Sequence, residues 1–377
     1  MRKRMQCVSM LLALAVLAVP FGANAQGNDA HNAHAVFAMT NAADRNEVIA
    51  YIRAQDGSLQ EVHRFSTDGR GSGGTTDPLG SQGSLTLSQN HALLFAVNAG
   101  SGDISVFAVN GSRLFLLDKE PSGGSEPNAI AQHGNLVYVL NAGAASNVTG
   151  FRLVGSHLLP IKNSLAYLST ELSGAASISF SPDGNFLAVT ERLTNDIDVF
   201  RVLADGTLSP IVTNPSGGPG AFAVAFSPGG VAIVAETGPA NVTNGSAMSS
   251  YAVAANGTLS AISKSVPTDG SGNCWNAFTP DGRFVYASNS ASSSISGFAI
   301  AANGALTPIG GTGVGENPEG ATNLDIAISS DGKFLYSLNS GNGTIGIFAI
   351  QKDGSLTNVG TAGGIDPTSG VNGIAAN

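Results

Sequence analysis

Short apolar runs and clusters of turn residues alternate along the chain from about residue 34 onward. The runs are rich in β-branched and aromatic side chains, as in "ASISF" (176–180) and "FLAVT" (186–190). Glycine, asparagine, aspartate and serine separate them, and long helical periodicity is absent. The 49 glycines and the charged content of only 11% fit the same picture, because turns need glycine. This pattern predicts an all-β chain.

One motif recurs seven times: an aromatic residue, a short stretch, a turn glycine and usually a leucine. Asp-Gly and Asn-Gly favour tight hairpins, because glycine tolerates a positive φ. The copies have a period of about fifty residues. They read "YIRAQDGSL", "FAVNGSRL", "FRLVGSHL", "FRVLADGTL", "YAVAANGTL", "FAIAANGAL" and "FAIQKDGSL", with turn glycines Gly57, Gly111, Gly155, Gly206, Gly257, Gly304 and Gly354.

A second hairpin motif lies between successive copies of the first, as in "FSPDGNFLAV", "FTPDGRFVY" and "ISSDGKFLY". Each repeat therefore contains four predicted strands. In the fourth repeat these are "ASISF", "FLAVT", "DIDVF" and "LSPIV". Seven four-stranded units of this length predict a seven-bladed β-propeller rather than a solenoid.

The two ends of the repeat array complement each other. The first repeat begins at its second strand ("AVFAMTN", 35–41), and the chain ends in a run typical of a first strand ("VNGIAAN", 371–377). We expect the C-terminal strand to complete the N-terminal blade, which closes the ring and protects the sheet edges. Residues 34–377 are then a single propeller.

The N-terminus has the pattern of an export signal. A basic start at residues 2–4 precedes the apolar run "VSMLLALAVLAV", and "ANAQ" offers a cleavage site after Ala25. A membrane anchor is the alternative, but Pro20 and Gly22 end the run before the roughly 18 residues that a span requires. We expect residues 1–25 to be removed, residues 26–33 to form a mobile leader, and the protein to be exported to the periplasm or the extracellular space.

Charge and cysteine content limit which molecules and bonds are expected for this protein. Removing residues 1–25 takes away three basic residues and shifts the formal net charge from -9 to about -12, so nucleic acid and anionic lipid are poor partners. Cys274 remains as a lone cysteine and cannot form an internal disulfide. His31 and His34 have a metal-ligand spacing but lie in the leader and at its boundary with the first repeat. We expect no metal, no cofactor, no membrane association after cleavage, and a monomer.

The repeat "FSPDGxFLY…N…ISVFAI…DGSLT" resembles the lactonase-like seven-bladed propellers, the group that contains 6-phosphogluconolactonase and the muconate-cyclising enzymes. The resemblance covers residues 34–377. It implies histidines and an arginine where inner strands begin. This chain instead carries Gly174 and Ala176 in one such stretch and Phe222 and Ala223 in the next. The acidic residue of the family has a match in Glu236.

The residue after the second strand of each repeat faces the predicted mouth of the central channel. Five repeats carry an asparagine there, which we interpret as a turn cap. Glu191 and Glu236 replace it in two neighbouring repeats, and Arg192 follows Glu191. Two carboxylates near one pocket allow an acid and base pair, and an arginine can bind a carboxylate or polarise a carbonyl. Glu236, Glu191 and Arg192 are thus the candidate catalytic residues; a solvated Glu191–Arg192 ion pair is the alternative.

Loops that enter the first strands supply candidate substrate-binding residues: Trp275, Asn276, Glu126, Asn323 and Asp325. The only tryptophan of the chain could stack on a sugar ring at the channel mouth, or it could pack between blades. The glycine-rich stretch 66–83 could overhang the site as a lid or act as a flexible connection.

Two functions follow from these residues. The first is an exported lactonase-like propeller that hydrolyses or isomerises a small polar lactone or a carbohydrate-derived ring at the channel mouth. The second is a non-catalytic propeller that binds a glycan, a peptide or a partner protein through the same rim. The retained acidic position favours the first, and the missing histidines and arginine favour the second.

Overall fold

The structure is a computed structural model that describes residues 34–75, 77–310 and 314–377. Within these residues the backbone forms thirty β-strands and no helix. The predicted signal (1–25) and leader (26–33) lie outside the described residues, so both stay predictions. The strands form seven antiparallel sheets, which we number as blades one to seven along the chain.

Each blade has four strand positions from the central channel outward. The innermost strands of blades one to seven are β30 (Ile374–Ala376), β4 (Leu85–Leu87), β8 (Pro127–His133), β13 (Ala175–Phe180), β17 (Ala221–Phe226), β21 (Asn273–Phe278) and β26 (Asn323–Ile328). The second strands are β1 (Ala35–Met39), β5 (Leu93–Asn98), β9 (Leu136–Asn141), β14 (Phe186–Glu191), β18 (Ala232–Glu236), β22 (Phe284–Asn289) and β27 (Phe334–Asn339). The third strands are β2 (Glu47–Arg53), β6 (Asp103–Asn110), β10 (Asn147–Val154), β15 (Asp196–Arg201), β19 (Ala247–Val253), β23 (Ser294–Ile300) and β28 (Thr344–Ile350). The outer strands are β3 (Leu59–Ser66), β7 (Arg113–Pro121), β11 (His157–Pro160) with β12 (Ala166–Tyr167), β16 (Val212–Pro215), β20 (Leu259–Pro267), β24 (Leu306–Pro308) with β25 (Gly315–Glu316), and β29 (Leu356–Ala362).

The predicted seven-bladed propeller is confirmed, with one local difference in blade four. The outer strand was expected at "LSPIV" (208–212), whereas the ladder forms over Val212–Pro215 and Leu208 makes only an isolated bridge with Val202. Pro210 lacks a backbone N–H and cannot donate to a ladder, so pairing resumes beyond it.

The ring closes as the two chain ends predict. The C-terminal strand β30 pairs with β1, with Val36 opposite Ala376 and Ala38 opposite Ile374. An ion pair also joins the first and last blades at this seam, with 2.9 Å between Arg53 Nη2 and Asp331 Oδ2. The Arg53 side chain is only 5% exposed and lies over the Phe334 ring, so the pair is part of the packed seam.

The turn glycines of the repeat motif also join neighbouring blades. A tyrosine on the second strand of one blade donates its hydroxyl to the turn glycine carbonyl of the next blade. A Cβ on Gly57 would lie 2.3 Å from the Phe334 ring, and the φ of Gly57 is +89°. Glycine is therefore required there by both backbone conformation and space. The pairs are Tyr138–Gly206 at 2.7 Å, Tyr286–Gly354 at 2.8 Å and Tyr336–Gly57 at 3.4 Å.

Residues 77–83, which we call the central segment, extend from the glycine-rich stretch into the channel. The Gln82 N–H donates to the Ala176 carbonyl at 3.0 Å, and Gln82 forms a parallel bridge with Ser177 of blade four. The Gln82 side-chain amide exchanges two hydrogen bonds with the backbone of Asn276 in blade six, at 2.7 and 3.1 Å. The segment thus reaches from blade two to the inner strands of blades four and six, so it is a fixed part of the channel rather than the lid or the flexible connection that were the two expectations.

Candidate functional site

In blades two, four and five the residue that ends the second strand ties its blade to the preceding one. Asn98 shows the arrangement: its Nδ2 donates to Asp103 and Ser105, at 2.6 and 2.9 Å. Its Oδ1 accepts from Asn46 and Thr67 of blade one, at 2.9 and 2.6 Å. Asn98 therefore does fix the end of its strand, but its partners are side chains of its own blade and of the neighbouring blade rather than the backbone of the turn.

Glu191 performs the same task in blade four. Its carboxylate is fully buried and accepts from the Ser169 N–H at 2.9 Å, from the Ser169 hydroxyl, and from the Thr194 hydroxyl at 3.0 Å. No described basic side chain lies within ion-pairing distance of it, Arg192 included. The solvated ion pair with Arg192 is therefore not found, and the carboxylate does not open to the channel mouth.

Glu236 is engaged even more fully in blade five. Its Oε1 accepts from the Ser216 hydroxyl, the Gly218 N–H and the Ser249 hydroxyl, at 3.1, 2.8 and 2.6 Å. Its Oε2 accepts from the Ser265 hydroxyl at 2.8 Å. A carboxylate with four donors is held in place, and full burial keeps both of its oxygens away from a substrate in the channel. A catalytic role for Glu191 or Glu236 therefore does not fit the geometry, because both carboxylates already serve as structural acceptors.

Arg192 is the predicted catalytic residue that does reach the channel mouth. Its side chain is exposed, and its guanidinium lies 5.8 Å from the centre of the Phe222 ring on the neighbouring blade. The Arg192 N–H donates to the Gly174 carbonyl at 3.0 Å, which fixes the loop that carries it against the start of β13.

Trp275, Asn276 and Asn323 are buried rather than exposed. The Trp275 indole donates to the Ser81 carbonyl at 2.9 Å and packs edge-on against Phe222. No face of the indole is free to stack on a sugar, so inter-blade packing is the role that the structure supports. The Asn323 amide donates to Ser288 at 2.6 Å and is likewise part of the blade interior.

Glu126 is exposed and lies on the rim of a cavity of about 570 Å³ between blades two and three. Its φ is +53°, an unusual value for glutamate.

Asp77 is the functional candidate that the sequence patterns missed. Its carboxylate accepts from the Gly80 N–H at 3.0 Å and from the Asn372 amide at 3.1 Å. Burial raises the pKa of Asp77 to about 6, and the positive charge of Arg192 limits that rise. Its φ is +40°, a strained conformation of the kind that concentrates at functional sites. The only sequence feature at this position is an Asp-Pro turn inside a glycine-rich stretch, which points to a loop and not to a site.

Asp325 lies in β26, the innermost strand of blade seven, and interacts with the charge of Asp77. It is buried, and its oxygens accept from the N–H groups of Ile326 and Ile374, at 2.9 and 3.2 Å. Burial raises its pKa to about 7, and the negative charge of Asp77 adds to the rise. Asp77 and Asp325 are two carboxyls with raised pKa values that repel each other, and the positive charge of Arg192 acts on Asp77. Such an arrangement is suited to proton transfer at a polarised carbonyl.

A comparison with models of protein families assigns the chain to a family. The model of the family described as "Lactonase, 7-bladed beta-propeller" matches residues 155–243 and 246–365, more than half of the chain. The chain belongs to this lactonase family. The resemblance expected from the repeat is therefore confirmed.

Solved structures share the lactonase-family fold over almost their whole length. A candidate 6-phosphogluconolactonase from Bacteroides uniformis has a TM-score of 0.70 at 19% identity, with 92% of this chain and 99% of that chain covered. A second from Bacteroides fragilis has a TM-score of 0.69 at 18% identity, with 93% and 99% covered. A periplasmic gluconolactonase from Pseudomonas aeruginosa has a TM-score of 0.68 at 17% identity, with 91% and 98% covered. Such identities establish the fold alone. A comparison with curated protein sequences gave no match.

At the positions where the family resemblance implies basic residues, this lactonase-family chain has residues that contact the central segment. The Ala176 carbonyl binds Gln82, and Phe222 packs against Trp275, which holds Ser81. Small and apolar residues thus leave room for the segment that delivers Asp77. Across residues 34–75, 77–310 and 314–377 there is no cluster of three or more metal-ligating side chains and no helix that could cross a membrane.

Proposed function

We propose that this lactonase-family propeller hydrolyses a small polar lactone at the upper channel mouth, with Asp77 as general base and Arg192 as the group that binds the carbonyl oxygen. The observation that carries the proposal is the placement of Asp77, strained and partly buried, within the field of the exposed Arg192. Family membership supports the reaction class. The gluconolactonase name of a structurally similar protein supports a carbohydrate-derived ring.

The reaction needs one water molecule. Ionised Asp77 accepts a proton from the water as its oxygen attacks the lactone carbonyl carbon. The carbonyl oxygen gains negative charge, and the Arg192 guanidinium stabilises that charge through hydrogen bonds. The ring C–O bond then breaks, and the ring oxygen takes up the proton that Asp77 accepted, which gives the hydroxy acid and restores ionised Asp77. Because only ionised Asp77 acts as a base, activity should rise with pH through about 6.

A pH-stat assay on a panel of unsubstituted and sugar-derived lactones tests the proposal. Asp77→Asn should lower kcat/KM at least a hundred-fold, roughly the contribution of general base catalysis. Arg192→Gln should lower it by at least ten-fold, with Arg113→Gln on the exposed face of β7 as the matched control. Full activity in Asp77→Asn would remove Asp77 from the mechanism.

Non-catalytic binding is the second candidate function, and the filled channel favours it. Glu191 and Glu236 are occupied by structural hydrogen bonds, and the central segment holds the middle of the ring. Titration calorimetry with gluconolactone and with the matching sugar separates the two functions. Saturable binding without turnover of any lactone in the panel would favour the binding protein.

We also propose that the protein is exported, on the basis of the signal pattern in residues 1–25. Sequencing the N-terminus of the protein recovered from the periplasm or the culture medium should show a chain that begins at Gln26. Recovery from the cytosol with an intact N-terminus would contradict export. Neither result bears on the lactonase proposal.

A further inference from the structure

Blade four differs from the other blades at two neighbouring positions. In blades two, five and six the residue that ends the second strand hydrogen-bonds to a hydroxyl on the third strand of the same blade. The distances are 2.9 Å for Asn98–Ser105, 2.9 Å for Asn289–Ser296 and 2.6 Å for Glu236–Ser249. In blade four the corresponding residues are Glu191 and Asp198, so a carboxyl replaces both the asparagine and the hydroxyl.

Glu191 and Asp198 are both fully buried and lie on the same face of the sheet. Asp198 Oδ1 accepts from the Thr213 hydroxyl at 2.7 Å, whereas Asp198 Oδ2 is buried without any described hydrogen-bond donor. The Glu191 oxygens already accept from Ser169 and Thr194. A buried carboxylate oxygen beside a second carboxylate is unfavourable unless a proton lies between them.

No cation neutralises this pair from the elements around it. Strands β13, β16 and β17 carry no titratable side chain. On the same face, Asp196 is partly exposed and lies opposite Glu191. The connection from blade three brings only the exposed Glu171, and Arg192 points away to the mouth. Burial raises the pKa of Asp198 to about 7, the negative charge of Glu191 adds to the rise, and the Thr213 hydroxyl opposes it.

We propose that Glu191 and Asp198 hold a single proton between them and that this proton positions Arg192. Glu191 is the last residue of β14, and its carboxylate binds Thr194 of the following loop and Ser169 of the connection from blade three. Arg192 lies in the chain between Glu191 and Thr194, the two residues that this hydrogen bond joins. Loss of the proton leaves two buried negative charges side by side, and their repulsion loosens the anchor of the loop.

The inference rests on the proposed function for its effect on activity, but its effect on stability is independent of that function. A carboxyl whose pKa is raised on folding stabilises the folded state fully below about pH 4, and this stabilisation is lost as pH rises to about 7. For activity, the proton on Asp198 keeps Arg192 in position. Because the proton is lost at higher pH, kcat/KM should fall several-fold between about pH 7 and 8.5. Asp198 is a positioning residue, because it does not contact the substrate.

The experiment compares the full-length wild-type protein with Asp198→Asn and Asp198→Ser, the latter being the residue found in blades two and six. Thermal melts are recorded from pH 4 to 9. The wild-type Tm should fall relative to the Tm of both variants as the pH rises from 4 to 7. The pH profile of kcat/KM on the best lactone should lose its alkaline limb in Asp198→Asn, while the acid limb stays near pH 6. Asp353→Asn is the control, since it removes an exposed carboxyl in the outer hairpin of blade seven, outside the proposed site.

Parallel melting curves for the wild type and both Asp198 variants across this pH range would overturn the shared proton. A wild-type Tm that rises at pH 8 with added CaCl₂ but not with NaCl of equal ionic strength would also overturn it, because a cation would then occupy the place of the proton. A pH-dependent Tm difference together with an unchanged alkaline limb would overturn the positioning of Arg192. Absence of lactonase activity with the predicted melting curves would instead contradict the proposed function and leave the proton pair supported.

Discussion

At the scale of single residues, the same position carries either an asparagine or a glutamate and performs one task. Asn98, Glu191 and Glu236 each tie the end of a second strand to the connection from the preceding blade. The residue pattern placed both glutamates correctly at the ends of their strands. It could not show that they turn into the protein, because side-chain direction depends on donors supplied by another repeat.

Glu236→Gln should therefore destabilise the fold rather than abolish chemistry. The amide keeps one acceptor oxygen but directs an NH₂ group at hydroxyl and N–H donors, which leaves buried groups unsatisfied. We expect a loss of about 1–3 kcal/mol in the free energy of unfolding. Urea denaturation measures it, with Glu319→Gln at an exposed loop position as the control. An unchanged midpoint would show that the four hydrogen bonds contribute nothing to stability.

At the scale of elements, the seam between blades one and seven depends on β30 and on the Arg53–Asp331 pair. Deleting residues 371–377 should lower the Tm clearly, because β1 would lose its inner partner and expose an unpaired edge. Differential scanning calorimetry of the truncated and full-length chains checks this. A melting temperature equal to that of the full-length chain would contradict closure by the C-terminal strand.

The ion pair at the seam makes a separate prediction about acid. Burial alone would raise the pKa of Asp331, but hydrogen bonds from Ser329 and Arg53 outweigh burial and lower the pKa to about 2. A lowered pKa stabilises the folded state above about pH 4, and this stabilisation is lost as pH falls toward 2. Asp331→Asn should thus cost about 1–2 kcal/mol at pH 7, after allowance for solvent screening, and nothing near pH 2. Urea unfolding at both pH values measures the difference.

At the scale of the whole molecule, the fold could be predicted from the sequence and most of the site could not. Hairpin residues and apolar runs are local and repeat seven times, so number, order and closure of the blades follow from them. The central segment occurs once and has no repeat to compare with. Its contacts, such as Gln82 with Asn276, join residues 194 positions apart across the channel. Asp77 therefore became visible only when the ring had brought the segment against Arg192.

The pH dependence of kcat/KM for the best lactone substrate, in the wild type and in Asp77→Asn, tests the central claim most directly. The wild type should gain activity with an apparent pKa of about 6 as Asp77 ionises, and Asp77→Asn should lose that acid limb together with most of its activity. Circular dichroism at each pH confirms that both proteins remain folded. An acid limb near pH 6 that persists in Asp77→Asn at comparable rates would contradict the assignment of Asp77 as the base.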